Sequence, residues 1–378
     1  MCGARGFLNL EDQMKQFHAP RVIAAAGLLV GLAASAAPTL SHMSGAHADG
    51  ARAASGSVGF LFSDFTTSAR WKFDRDFYIT ALGKAAPGVK VLVQDAKAAQ
   101  STQQNEAQSL LTSGVKVLID VPVDSAGAAA IVRLAHANKP PVPVISYDRL
   151  ITGVPVDAYV SFDGYNVGVQ QANYLVAHVK KGGTIVSIAG SPTDNNAHLF
   201  YTGAMSILGP RFKSGYFKLG YDKFTPNWDP SQGQAEMTAA LLKLNNKVDG
   251  VLSANDGLAG GIEIALKAQG LAGKVPVTGQ DATVAGLQQI LLGNQSMTIY
   301  KPIARLSAAA VQVTTTLLAG KKFTSKVVVA NGAGNVPSIL LPVETVTKAN
   351  IKSTVLKDGY VSMADLCKGI PASACAGL

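Results

Sequence analysis

Asp148 and Arg149, after Ser146 and Tyr147, set a carboxylate beside a guanidinium at the C-terminal end of the apolar run 142–145, which reads as a buried strand. In open α/β sheets, ligands bind just beyond the carboxyl ends of the strands. Alone, an Asp-Arg pair is equally a solvated loop ion pair. A second copy of the pattern argues against that. The segment 248–256 leads through a helical stretch to 275–281 as 115–124 leads to 142–148. Asp124 and Asp148 stand 24 residues apart, Asp256 and Asp281 25. The same class of strand-to-helix loop supplies Arg70 and Trp71 in the first half. In the second half it supplies Asp194, Asn195, Asn196, Trp228, Asn255, Asp256, Asp281 and Lys301. Asp, Asn and Arg offer paired acceptors or donors that engage vicinal hydroxyls bidentately. An indole offers a flat apolar face to the C–H face of a sugar ring. The set suits a small neutral polyol held between two lobes. Singly each residue has a plainer reading: Trp71 as core, Asn195 and Asp256 as helix caps, Lys301 as a surface lysine. The reading rests on their convergence on one cleft.

Catalytic patterns are missing from the sequence. It has no HExxH, GxSxG, P-loop or dinucleotide-binding glycine motif. Beyond residue 48 the histidines are His136, His178 and His198. The first two fall on amphipathic helices, and His198 has no Ser or Cys nucleophile partner. Asp148, Asp194 and Asp281 could imitate a glycosidase carboxylate pair. The positive groups on the same loops would keep them ionised, against that role. No metal or cofactor is expected.

These loops need rigid elements behind them. Strands at 58–62, 89–93, 115–121, 142–145 and 159–162 alternate with helices at 69–84, 100–113 and 126–138. The alternation restarts with helices at 168–179, 196–208, 230–244, 260–269 and 284–292, and strands at 184–189, 217–221, 248–253, 275–279 and 297–300. Such order argues for parallel, doubly wound sheets, and 378 residues exceed one ordinary core. The first lobe is expected over 55–161 plus 302–337, and the second over 162–301 plus 338–378. Three crossings near Phe162, Pro302 and Ser338 then make a hinge.

Arg21 precedes the apolar run 22–37, which Pro38 ends and which is shorter than the about 20 residues of a spanning helix. Ala46-His47-Ala48 fits a cleavage site, so residues 1–48 are expected to be an export signal. Met14 is an alternative start, since Glu11 and Asp12 are out of place in a leader. Cys367 and Cys375, the two cysteines beyond that segment, are expected to form a local disulfide in an oxidising compartment. The formal charge of +9 is scattered over amphipathic stretches, so no nucleic-acid surface is expected.

TTSARWKFDRD, VISYDR, YVSFDGYNVG, GSPTDNNAHLF, SANDGLAGG, TGQDA and TIYKP resemble the D-xylose-binding periplasmic proteins, among the ribose/galactose-type substrate-binding proteins of ABC sugar importers. The resemblance runs from about Val58 to Met363. It implies the type I periplasmic-binding-protein fold, two lobes on a three-strand hinge, and no enzymatic activity. It implies a pentose, D-xylose by preference, contacted by Arg70, Asp148, Arg149, Asp194, Asn196, Asn255, Asp281 and Lys301, with Trp228 stacking on it. Trp71, Asn195 and Asp256 would support these residues from behind. A monomer docking on a membrane permease is the implied partner arrangement. The sequence departs from the pattern in its longer leader, in SAND, and in the Cys367–Cys375 extension.

Overall fold

The computed structural model describes residues 56–66 and 70–378; the expected leader and its cleavage site lie outside the described residues. Strand β1 (Gly56–Phe62) buries 58–62 without a break, as a strand covered on both faces requires. Helix α1 (Arg70–Ala85) buries Trp71, Asp74, Tyr78 and Leu82, the three- and four-residue spacing of one helix face. β2 (Val89–Asp95), α2 (Gln100–Thr112), β3 (Val117–Asp120), α3 (Ala129–Ala137), β4 (Val144–Tyr147) and β5 (Ala158–Phe162) follow. The alternation restarts with α4 (Gly164–His178), β6 (Thr184–Ala189), α5 (Asn195–Lys213), β7 (Lys218–Phe224), α6 (Pro230–Lys243) and β8 (Gly250–Ser253). It continues through α7 (Asp256–Ala268), α8 (Val284–Leu292) and β9 (Thr298–Tyr300). Next come α9 (Ile303–Leu318), β10 (Val328–Ala330), β11 (Asn335–Leu341) and β12 (Glu344–Val346). The short helices α10 (Met363–Cys367) and α11 (Ala372–Cys375) close the chain.

The first sheet has the order β10-β11-β5-β4-β3-β1-β2 and is parallel except for its β10 edge. The second is parallel, in the order β7-β6-β8. The chain winds outward on both sides of β1 and of β6, so each lobe opens a crevice at the carboxyl ends of its strands. The run 275–279, expected as a strand, meets β8 at a single bridge between Val251 and Val277. Pro276 has no N–H to give. Side chains replace part of the ladder: Thr278 Oγ1 accepts from Ser253 N at 3.0 Å, and Ser296 Oγ from Val277 N at 3.1 Å.

After β9 the chain crosses to the first lobe, where α9 packs on α1 and Thr314 Oγ1 lies 2.8 Å from Tyr78 Oη. β11 pairs with β5 from Ser338 through Leu341, so it stays in the first sheet past Ser338. β12 then pairs with β9 in the second lobe. The three passages, after β5, after β9 and after β11, are the hinge. In the second lobe α4 and α5 touch backbone to backbone: a side chain at Gly168 would strike Phe200 O, and one at Gly203 would strike Tyr165 O. Cys367 and Cys375 form a disulfide joining α10 to α11. Gln288 of α8 ties this tail down by donating to Leu366 O and Lys368 O. Among the described residues no helix is long and apolar enough to cross a membrane.

Candidate functional site

Asp148 and Asp281 both have positive φ, 59° and 94°. Residues with a Cβ hold that conformation only where neighbours over-determine it. Asp148 N donates to Val160 O at 2.8 Å, and its carbonyl accepts from Tyr159 Oη (3.1 Å), Ser161 Oγ (2.6 Å) and Asn196 Nδ2 (3.1 Å). Asp281 N donates to Ile299 O at 2.9 Å, and its carbonyl accepts from Tyr360 Oη at 3.2 Å. Each lobe thus turns one carboxylate out of its sheet end into the cleft.

Arg70 stands between them. Its Nε and Nη2 grip Asp74 at 3.1 and 2.9 Å, and Tyr147 Oη donates to the same carboxylate at 2.7 Å. That leaves Arg70 Nη1 at 2.9 Å from Asp148 and 3.5 Å from Asp281. Lys301, on the passage after β9, reaches Asp281 at 3.4 Å and Asp148 at 3.9 Å. All of these groups are buried. Burial alone would raise Asp148, but Arg70, Lys301 and Arg149 outweigh it and hold the carboxyl below its ordinary range. Asp74, with Arg70 as its one cation, is raised by burial. An acid held this low cannot serve as a proton donor near neutral pH, which disfavours a glycosidase pair.

The second lobe adds its own wall. Asp194 Oδ1 accepts from Asn196 N and so caps α5. Its Oδ2 receives Trp228 Nε1 at 3.0 Å and Arg149 Nε at 2.8 Å. Burial raises Asp194 despite the Arg149 charge. The Trp228 indole lies over Gly190, where a Cβ would collide with the ring. Asn255 Oδ1 accepts from Leu258 N and caps α7. The caps are therefore Asp194 and Asn255, one residue before the expected Asn195 and Asp256. Asn195 faces the other lobe instead: its N–H donates to Ser125 Oγ at 3.0 Å, and Ser125 N donates to Thr193 O at 2.9 Å. Asp256 lies behind the Asp281 turn.

Arg70, Asp148, Arg149, Asp194, Asn196, Trp228, Asn255, Asp281 and Lys301 all line one cleft with Trp71. Phe200 and Gln280 also line it; the sequence singles out neither, although they fall within the stretches GSPTDNNAHLF and TGQDA. The lobes are closed on each other, since Arg70–Asp281, Asn196–Asp148 and Arg149–Asp194 all cross between them. Trp71 forms a floor with Arg70 at 4.5 Å and Arg149 at 5.4 Å from its ring centroid. His198 points away, to Pro192 O. No three His, Cys, Asp or Glu among the described residues could hold a metal ion.

Two α/β lobes on a three-strand hinge, closed over a buried polar cleft, define a solute-binding protein of type I rather than an enzyme. The chain belongs to the family described as the periplasmic binding protein domain, which matches residues 59–322. The D-xylose-binding periplasmic protein of Escherichia coli strain K12 is 38% identical over 309 residues, 82% of this chain and 92% of the relative. The multiple sugar-binding periplasmic receptor of Rhizobium radiobacter is 35% identical over 325 residues, 81% of this chain and 90% of the relative. Among solved structures, a carbohydrate transporter solute-binding protein from Chloroflexus aurantiacus in complex with D-glucose superposes with a TM-score of 0.74. It shares 33% identity and covers 82% of this chain and 97% of its own.

Proposed function

We propose that this chain captures a monosaccharide, D-xylose by preference, between its lobes and delivers it to the membrane permease of an ABC importer. In this reading the leader exports the protein to the periplasm, and it acts there as a monomer. One observation carries the choice of ligand. Asn196 Oδ1 and Gln280 Oε1 are buried cleft acceptors that receive no hydrogen bond from the protein, and Asp148 Oδ2 and Asp281 Oδ1 meet only the Arg70 and Lys301 charges. Buried acceptors are costly unless a donor reaches them. A ring of vicinal hydroxyls supplies several donors within one small apolar-faced body, and Trp228 and Phe200 offer it flat walls. Arg70, Arg149, Asn255 and Lys301 supply the opposing donors. The similarity to D-xylose-binding relatives favours a pentose; the glucose-bound neighbour keeps a hexose as the competing outcome.

Calorimetric titration with a panel of pentoses and hexoses tests this reading. D-xylose is expected to bind and to outcompete D-glucose. No binding by any pentose at about millimolar concentration, a free energy near 4 kcal/mol, would sink it.

Closure is expected to depend on Ser125. Ser125→Ala removes the acceptor for Asn195 N while leaving the Ser125 N to Thr193 O bond. One such hydrogen bond is worth about 1 kcal/mol, so sugar release should quicken about fivefold. The fluorescence of Trp71 and Trp228, the chain's two tryptophans, reports it in a stopped-flow chase. An unchanged release rate would mean that this contact does not hold the lobes together.

A further inference from the structure

The turn that presents Asp281 is strained at two consecutive residues, since Ala282 also has positive φ, 49°. One carboxylate grips it from behind. Asp256 Oδ2 accepts from Thr283 N at 2.8 Å and Thr283 Oγ1 at 3.1 Å. Its Oδ1 accepts from Gln295 Nε2 and Thr298 Oγ1, both at 2.8 Å. Thr298 Oγ1 in turn accepts from Ala282 N at 3.1 Å, and Asp256 N donates to Gln280 O at 3.0 Å. Asp256 therefore holds the chain on both sides of Asp281. Two glycines make room for it: a Cβ at Gly279 or at Gly286 would collide with its carboxylate oxygens.

We propose that Asp256 is a positioning residue for sugar capture, and that its ionised form sets the Asp281 turn, so that capture weakens on acidification. The inference rests on the sugar-binding reading above. Its chemistry follows from the donor set. All four groups around the carboxylate are donors, and only the ionised form accepts from all of them. Protonation puts an O–H where a donor already points, so a threonine hydroxyl must turn round to accept or an N–H contact is lost. Asp281 across the turn, Glu263 along α7 and Tyr360 beyond Asp281 are the titratable groups that act on this site. Burial pushes Asp256 up to about 7, the Asp281 charge adding to it. Burial pushes Glu263 up to about 8, with the Asp256 charge behind it. Because Asp256 titrates as an acid near neutrality, the gripping form is full above that pH and lost as pH falls through it.

Titration of D-xylose into the full chain, with D-glucose in parallel, from about pH 8 to about pH 6 tests the inference. The wild type should bind about fivefold more weakly at the acid end. Asp256→Asn turns an amide N–H2 onto donors and mimics the neutral acid. It should bind weakly throughout and lose most of the slope. Asp194, raised by burial, is present in both proteins, so whatever it adds cancels in the difference between their slopes. Glu263→Gln should keep the slope. D256N with wild-type affinity, or weakened with the wild-type slope intact, would overturn the inference. Should D256N not fold by circular dichroism, Thr298→Val removes one of the four donors; it should weaken capture, and unchanged capture overturns the inference. A wild type that binds neither sugar overturns the underlying reading and this one with it. A wild type that binds, with D256N indistinguishable from it, overturns this one alone.

Discussion

Arg70→Met is expected to abolish sugar capture and to destabilise the folded chain by about 3–5 kcal/mol, the cost of removing one partner from a buried ion pair. The size of the effect follows from how many acids share this guanidinium. Arg70 is bidentate to Asp74, 2.9 Å from Asp148 and 3.5 Å from Asp281. Met fills a similar length but returns no charge, so Asp74 keeps only the Tyr147 hydroxyl. Asp148 keeps Lys301 at 3.9 Å. Burial, already the largest influence on both acids, would then dominate and raise them. The pH dependence has a definite sign. In the wild type the lowered Asp148 contributes stability that is present above its unfolded value and lost as pH falls through the folded one. In the variant the acids are raised, so the penalty grows as pH rises and shrinks as they take up protons. Urea unfolding at about pH 5 and about pH 8 should therefore show a smaller difference from wild type at the acid end. A variant with wild-type stability at both would mean that Arg70 is not what keeps these carboxylates buried and charged.

The elements of this fold are readable because parallel strands announce themselves as apolar runs. The βα order places Arg70, Asp148, Asp194 and Asn255 at strand ends before any coordinates. What the sequence could not show is local backbone geometry and contacts between lobes. Asp148 and Asp281 carry positive φ on a residue that, unlike glycine, gives no warning of it. The consecutive polar residues 194–196 and 255–256 each offer more than one capping candidate, and only φ and ψ decide that Asp194 and Asn255 take the role. Pro276 sits in a run that reads as a strand, and the side chains of Thr278 within it and Ser296 beyond it replace part of its ladder. Ser125 was invisible because its partners, Thr193 and Asn195, belong to the other lobe. Phe200 carries no polar group to mark it as a site residue; it lies both in the core and on the cleft wall.

Trp228→Ala should cost about 1 kcal/mol or more of sugar binding, the scale of an aromatic face lost to a ring, and about 3–5 kcal/mol of folding stability for an indole removed from an interior. The indole has three attachments. Its Nε1 donates to Asp194, its ring lies 6.2 Å from Phe200 in an edge arrangement, and its face covers Gly190. Alanine removes all of them and leaves Asp194 with Arg149 as its remaining side-chain partner. Gly190→Ala displaces the wall without deleting the indole. A methyl at 190 would collide with the ring of Trp228, so the indole must shift from its place although no side chain is deleted. If the flat face is what recognises the sugar, G190A should weaken binding about as much as W228A, with a smaller loss of stability. If instead Trp228 serves mainly as the donor that holds Asp194, a variant that keeps the face but loses the N–H should bind as weakly as W228A. Trp228→Phe then gives the complementary case, a retained face without the N–H. Titration of the three variants beside their urea midpoints distinguishes a stacking wall from a bracket for Asp194. A W228A protein with undiminished sugar affinity would remove this residue from the site altogether.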